Sequence, residues 1–144
     1  MRQGLTCVCP DLYVASLKDL EESDCFSEVD FDVVVNLCGE RPVNGYSTGV
    51  EVLDYRMEDG DENCLKCFSS ALQAVRKRFD SGDTVLVHCT AGLSRSPVMA
   101  AAVLSTLNTS SVKQNLERIQ DDRMIGPAST VVENAEKAVE QFLD

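Results

Sequence analysis

The run Val85-Leu86-Val87-His88-Cys89-Thr90-Ala91-Gly92-Leu93-Ser94-Arg95-Ser96-Pro97 constrains this chain more than any other part of it. A β-type apolar stretch ends in a cysteine, passes through a short loop with glycine at its centre, and meets a proline where a helix can begin. Backbone N–H groups of a tight loop feeding a helix N-terminus point inward and form an anion cradle. Thr90, Ala91, Gly92, Leu93, Ser94 and Arg95 are placed to supply one, and the Arg95 guanidinium adds a planar two-pronged donor for phosphate oxygens. Cys89 lies at its floor. The field that binds phosphate also favours thiolate over thiol, so Cys89 is expected to be a nucleophile rather than a packed hydrophobe.

Strand and helix signals alternate around this segment, which predicts one α/β domain over residues 1–144 with a central, mostly parallel sheet flanked by helices. Leu12 to Ala15, Asp32 to Cys38 and Val50 to Tyr55 read as strands, and Thr84 to His88 as the central one. Leu65, Phe68, Leu72, Val75 and Phe79 recur at steps of three and four, the pattern of a helix buried on one face and ending near Ser81-Gly82. Pro97 opens a buried helix that runs to Leu107, followed by helices over Ser111 to Gln120 and Thr130 to Leu143. Thr130-Val131-Val132-Glu133 has the form of a capping box for the last. Ligands of open α/β sheets sit at the carboxyl ends of the strands, where this loop would lie.

The central segment resembles the signature of cysteine-based protein tyrosine phosphatases, His-Cys, five residues, Arg, then Ser or Thr. The Ala91-Gly92-Leu93-Ser94-Arg95-Ser96 form is most similar to the dual-specificity subfamily. Leu12-Tyr13-Val14 resembles that family's opening strand, Val35-Asn36-Leu37 its second, and Arg123-Met124-Ile125-Gly126-Pro127 an Arg-x-Ile-Gly-Pro stretch near its end; Ala128 and Ser129 replace the Asn and Gly that usually follow. The resemblance implies a two-step transfer without metal or other cofactor, in which Cys89 becomes transiently phosphorylated. It also implies an acid on a loop about thirty residues before the cysteine, because a departing alkoxide needs a proton. Asp54, Asp59 and Asp61 lie in that window. Asp59, thirty positions upstream in Met57-Glu58-Asp59-Gly60, is the choice and Asp61 the alternative; either carboxylate would also complement the dipole of the helix that follows. By the same resemblance Ser96 eases breakdown of the phosphoenzyme, a role compatible with helix capping, and His88 supports the loop and the thiolate.

The resemblance implies a phosphorylated protein as substrate. Thr90, Ala91, Leu93 and Ser94 are uncharged, whereas related inositol-lipid phosphatases carry added lysines there. The short chain implies a shallow site that accepts phosphotyrosine and phosphoserine or phosphothreonine alike. Arg123 is expected either to reach a second phosphate or an acidic flank, or to pair near Asp121 and Asp122. The alternatives are an RNA 5′-phosphatase and a silent phosphoprotein-binding module. A net charge of −11 over 144 residues argues against nucleic acid, since a phosphate-backbone binder needs a basic face. Arg76-Lys77-Arg78 is the one basic cluster, read as a solvated helix end.

Seven cysteines, an odd number in a chain able to build a core, point to a reducing compartment. Cys64-Leu65-Lys66-Cys67 has the spacing of half a zinc site without a second pair, and reads as two helix positions. Cys25 and Cys38 are candidates for a reversible disulfide with Cys89. No stretch approaches the roughly 18 apolar residues of a membrane span, and Met1 to Leu5 do not lead into a signal-peptide core. A monomer in the cytoplasm, or the nucleus, with no membrane partner, is the expectation.

Overall fold

The computed structural model describes residues 4–22 and 24–144. Met1 to Gln3, part of the stretch read above for a signal peptide, lie outside them. Five strands form one sheet: β1 (Thr6–Cys9), β2 (Leu12–Ser16), β3 (Val33–Asn36), β4 (Glu51–Asp54) and β5 (Val85–Cys89), in the order β1-β2-β5-β3-β4. Pairs β2/β5, β5/β3 and β3/β4 are parallel, and β1/β2 is antiparallel. The expectation of a mostly parallel α/β sheet holds, with β5 at its centre. The edge strand β1 is an addition; Thr6-Cys7-Val8-Cys9 is short, carries no clean apolar alternation, and a register shift interrupts its pairing between Cys7 and Cys9.

Strands β3 and β5 are buried on both faces, which is why they read as unbroken apolar runs. Side chains alternate across the sheet, so Val85, Val87 and Cys89 face one way and Leu86 the other. The first face packs against α3 (Leu65–Asp80), α4 (Arg95–Leu107), α5 (Val112–Gln120) and α6 (Ser129–Leu143). The second is covered by α1 (Leu17–Glu22) and α2 (Cys25–Glu28), two short helices in the acidic stretch that gave no helical signal, through Leu20, Cys25 and the nearby Phe31. Helix α4 runs between sheet and outer helices, with Val98 to Val103 all buried; a helix apolar on every side is a core helix. This arrangement fixes β5 and α4 on either side of the five-residue loop, 90–94, that joins them.

One capping expectation changes. Helix α6 begins at Ser129 with Ala128 at its N-cap, and the Thr130 hydroxyl donates to Asp61 at 3.1 Å, so no box forms there. The box belongs to α5, where Ser111 and Gln114 satisfy each other's backbone N–H groups. Arg76 and Arg78 are not a free basic patch: Arg76 pairs with Asp80 and reaches Thr106, and Arg78 pairs with Glu51 and Asp83.

Candidate active site

Cys89 ends β5 and is 2% exposed. The Gly92 N–H donates to its Sγ at 3.3 Å, and the Ser96 hydroxyl lies 3.2 Å from the same atom. Two hydrogen-bonding groups at the N-terminus of α4 therefore converge on the sulfur.

Three carbonyls of the loop are engaged from outside it. Thr90 carbonyl oxygen accepts from Leu17 N–H at 3.0 Å, Gly92 carbonyl from Arg123 Nε at 3.0 Å, and Leu93 carbonyl from Gly126 N–H at 2.7 Å. With these carbonyls drawn away from the sulfur, Gly92 N–H is turned toward it. Ser94 occupies the N-cap of α4, yet its hydroxyl accepts from Ala128 N–H at 3.0 Å rather than capping its own helix. The first-turn amides of α4 have no intrahelical acceptor and no side-chain cap, which leaves them and the helix dipole for an anion. Ser96 lies inside the helix and is not its cap, a correction to one of its two expected roles.

Gly92 holds the shape of the loop. Its φ is +68°, and a Cβ there would collide with the Arg123 guanidinium and press on Ser16 at 3.1 Å. Arg123 itself is 2% exposed and reaches Gly4 carbonyl, Thr6 Oγ1 and the buried Asp19 carboxylate. It therefore contacts neither a substrate phosphate nor Asp121 or Asp122, and serves as the strut behind the loop.

Arg95 is the first residue of α4. Its Nη1 donates to Met57 carbonyl at 3.0 Å and its Nη2 to Thr90 Oγ1 at 3.2 Å, while Thr90 Oγ1 donates to Glu40 at 3.1 Å. The guanidinium thus ties the cradle to the segment that bears the candidate acids. Met57 is buried and its N–H bonds Leu37 carbonyl, and Glu58 carbonyl accepts from Asn63 Nδ2. Asp59 follows these anchored residues, exposed at the start of a 3-10 turn over Gly60–Glu62, and makes no capping bond with its side chain. Asp61 is held by Thr130, and Asp54 by Asn36 and Arg41.

His88 sits on the opposite face of β5 from Cys89 and is fully buried. Its Nε2 lies 2.7 Å from Tyr46 Oη, while Nδ1, turned toward the Cys89 backbone, has no hydrogen bond of good geometry. Burial pushes the His88 pKa down to about 4, and burial likewise pushes Tyr46 up to about 12. At neutral pH both are uncharged, so His88 adds no charge beside the sulfur. Cys25 lies in the core cluster on the other side of the sheet from Cys89, which rules it out as a direct partner; all seven cysteines are free.

Residues 12–135 match the catalytic domain family of the dual specificity phosphatases. The chain belongs to the dual specificity phosphatase family. It is 29% identical to human dual specificity protein phosphatase 8 over 110 residues, 75% of this chain and 18% of that one. Against dual specificity protein phosphatase 22-A of Danio rerio it is 25% identical over 133 residues, covering 88% of this chain and 61% of the relative. The chain thus spans less than two thirds of these relatives' length. The crystal structure of human DUSP28 shares the fold, with a TM-score of 0.81 at 20% identity, covering 100% of this chain and 98% of that one. The residues that sequence reasoning missed around the Cys89–Arg95 loop are Asp19, Glu40 and Tyr46, each brought in from a distant segment without a local motif.

Proposed function

We propose that this phosphatase domain hydrolyses phosphotyrosine and phosphoserine or phosphothreonine in proteins through a cysteinyl-phosphate intermediate. The observation that carries the reading is the Cys89 sulfur set near the open N-terminus of α4, between Gly92 N–H and the Ser96 hydroxyl, with Arg95 opening that helix and bonding Thr90, the residue after the cysteine. In the first step Cys89 thiolate attacks phosphorus, the P–O ester bond breaks, and Asp59 gives its proton to the leaving oxygen. In the second, water attacks phosphorus, Asp59 takes its proton, and the S–P bond breaks with Ser96 donating to the departing sulfur. Loop amides and Arg95 hold the equatorial oxygens as charge redistributes, the electrostatic share of catalysis. Asp59 is favoured over Asp61 and Asp54 because those two carboxylates are already committed to protein partners.

The rim of the loop carries more acid than base, with Glu40 at Thr90, and Glu21, Glu22 and a single Lys18 lining the adjoining groove of about 560 Å³. That rim disfavours an RNA 5′-end and supports a protein substrate. The deciding experiment is hydrolysis of an aryl phosphate and of paired phosphotyrosine and phosphothreonine peptides by wild type and Cys89→Ser. The expected result is cleavage of all three by wild type and none by the variant. Tight phosphopeptide binding by wild type without turnover would assign a binding module instead.

A further inference from the structure

The Cys64-Leu65-Lys66-Cys67 motif lies outside the phosphatase loop, and the structure gives it a form that two helix positions would not have. Cys64 is not in the helix body; it is the N-cap of α3, with extended backbone. Its Sγ accepts from Cys67 N–H at 3.4 Å, so the first turn of α3 closes on this sulfur. Both residues are exposed. We propose that Cys64 and Cys67 form a second thiol site, a dithiol that exchanges with small-molecule disulfides such as oxidised glutathione and closes reversibly into a bridge at the start of α3.

The two sulfurs are unequal in the way exchange requires. Donation from Cys67 N–H, and then from the Cys67 thiol, holds the Cys64 thiol below the ordinary cysteine range, with Lys66 adding to the effect. Cys67 is held above it by the neighbouring Cys64 sulfur and by burial. The attacking thiol is thus the exposed N-cap, and the resolving thiol belongs to the residue whose N–H already bonds it. The other cysteines lack this arrangement. Cys25, Cys38 and Cys89 are buried, Cys9 is pushed up to about 11 by burial, and Cys7, though exposed, donates its thiol proton toward Cys9 carbonyl. Among the described residues no three His, Cys, Asp or Glu groups gather as a metal site, so the pair has no further ligands at hand. A shallow groove of about 530 Å³ beside Cys64, lined by Lys66, Ser69 and Gln73, leaves room for a small anionic disulfide.

The exchange balances as follows. Cys64 thiolate attacks one sulfur of the small disulfide; a mixed disulfide forms, and one small thiolate leaves and takes a proton from solvent. Cys67 then gives its proton to solvent and attacks Cys64 Sγ, the mixed bond breaks, and a second small thiol is released. The protein dithiol loses two electrons and the small disulfide gains them. A bridge of this kind suits a reducing compartment, where disulfides are transient. It would clip the chain directly after Asn63, whose side chain holds Glu58 carbonyl next to Asp59.

The test does not depend on phosphatase activity. The full chain is equilibrated with mixtures of reduced and oxidised glutathione, blocked, and digested with trypsin without reduction. Cleavage after Arg56, Lys66 and Arg76 makes the bridge visible as peptide 57–66 joined to peptide 67–76. Wild type is expected to give the joined peptides, reversibly, and Cys67→Ser to hold one glutathione on Cys64. Cys64→Ser should give neither, and in the reduced protein iodoacetamide should modify Cys64 at least about tenfold faster than Cys67 at neutral pH. Circular dichroism confirms that each variant is folded. Absence of the joined peptides from folded wild type, glutathione taken up equally by Cys64→Ser, or Cys64 joined to a different cysteine would each overturn the proposal.

Discussion

Arg123 and Asp19 form a fully buried ion pair, Nη2 to Oδ2 at 3.1 Å, directly behind Gly92 of the loop that follows Cys89. The pair joins residues 104 positions apart. Burial alone would raise the Asp19 pKa, but N–H groups of Ser16 and Gly4, together with Arg123, outweigh it and hold the carboxyl below the ordinary range. Removing one member strands a charge in the core. Arg123→Met is expected to cost about 3–5 kcal/mol, read from urea unfolding, and Asp19→Asn a comparable amount. The double variant Asp19→Leu/Arg123→Met should recover part of that loss, since no uncompensated charge remains. A cost below about 1 kcal/mol for Arg123→Met would show that the strut is not structural.

Gly92→Ala tests the loop itself. A side chain at φ +68° costs about 1–2 kcal/mol on conformational grounds, and its Cβ would displace the Arg123 guanidinium that bonds the neighbouring carbonyl. The expected outcome is a folded but destabilised protein whose kcat/KM falls by at least about a hundredfold, because N–H groups lost from their positions no longer serve the transition state. Near-normal turnover would mean that the loop tolerates another geometry.

His88 carries a pH signature of stability. Its folded pKa is pushed down to about 4 by burial, whereas the unfolded residue titrates near its ordinary value of about 6.5. Between those values the unfolded chain binds a proton that the folded chain does not, so stability falls as pH drops from about 6.5 to 4. Tyr46, held protonated by burial, can donate to Nε2 throughout this range. Urea midpoints measured across pH 4–7 should fall more steeply with acid in wild type than in His88→Gln. Parallel slopes in the two proteins would remove His88 as the source.

The parts of the site legible in sequence were those the chain makes locally. Strand, cysteine, glycine loop, arginine and helix follow one another within thirteen residues from Val85 to Pro97, and each carries its own signal. The supports were not legible because they are long-range. Asp19 sits in an acidic run where nothing marks one carboxylate for burial, and Tyr46 meets His88 from a loop 42 positions away. Arg123 was noticed, but its direction depends on which segment packs over it, and a buried partner across the domain won over nearby Asp121 and Asp122. The capping boxes make the same point: two sequences had the pattern, and Thr130 lost its role to Asp61, a neighbour only in space.

Asp59 and Asp61 are separated by leaving-group chemistry. An acid that protonates the departing oxygen matters most when that oxygen is strongly basic, as in phosphothreonine, and least for an activated aryl phosphate such as nitrophenyl phosphate. Asp59→Asn is therefore expected to lower kcat on a phosphothreonine peptide by about 10²–10⁴ and to have a much smaller effect on the aryl ester. Asp61→Asn weakens only the contact with Thr130, so it should cost about 0.5–1.5 kcal/mol of stability and leave both rates close to wild type. The opposite pattern, with Asp61→Asn selectively slow on phosphothreonine, would move the acid by two residues. Equal losses on both substrates in Asp59→Asn would place Asp59 in loop structure rather than in proton transfer.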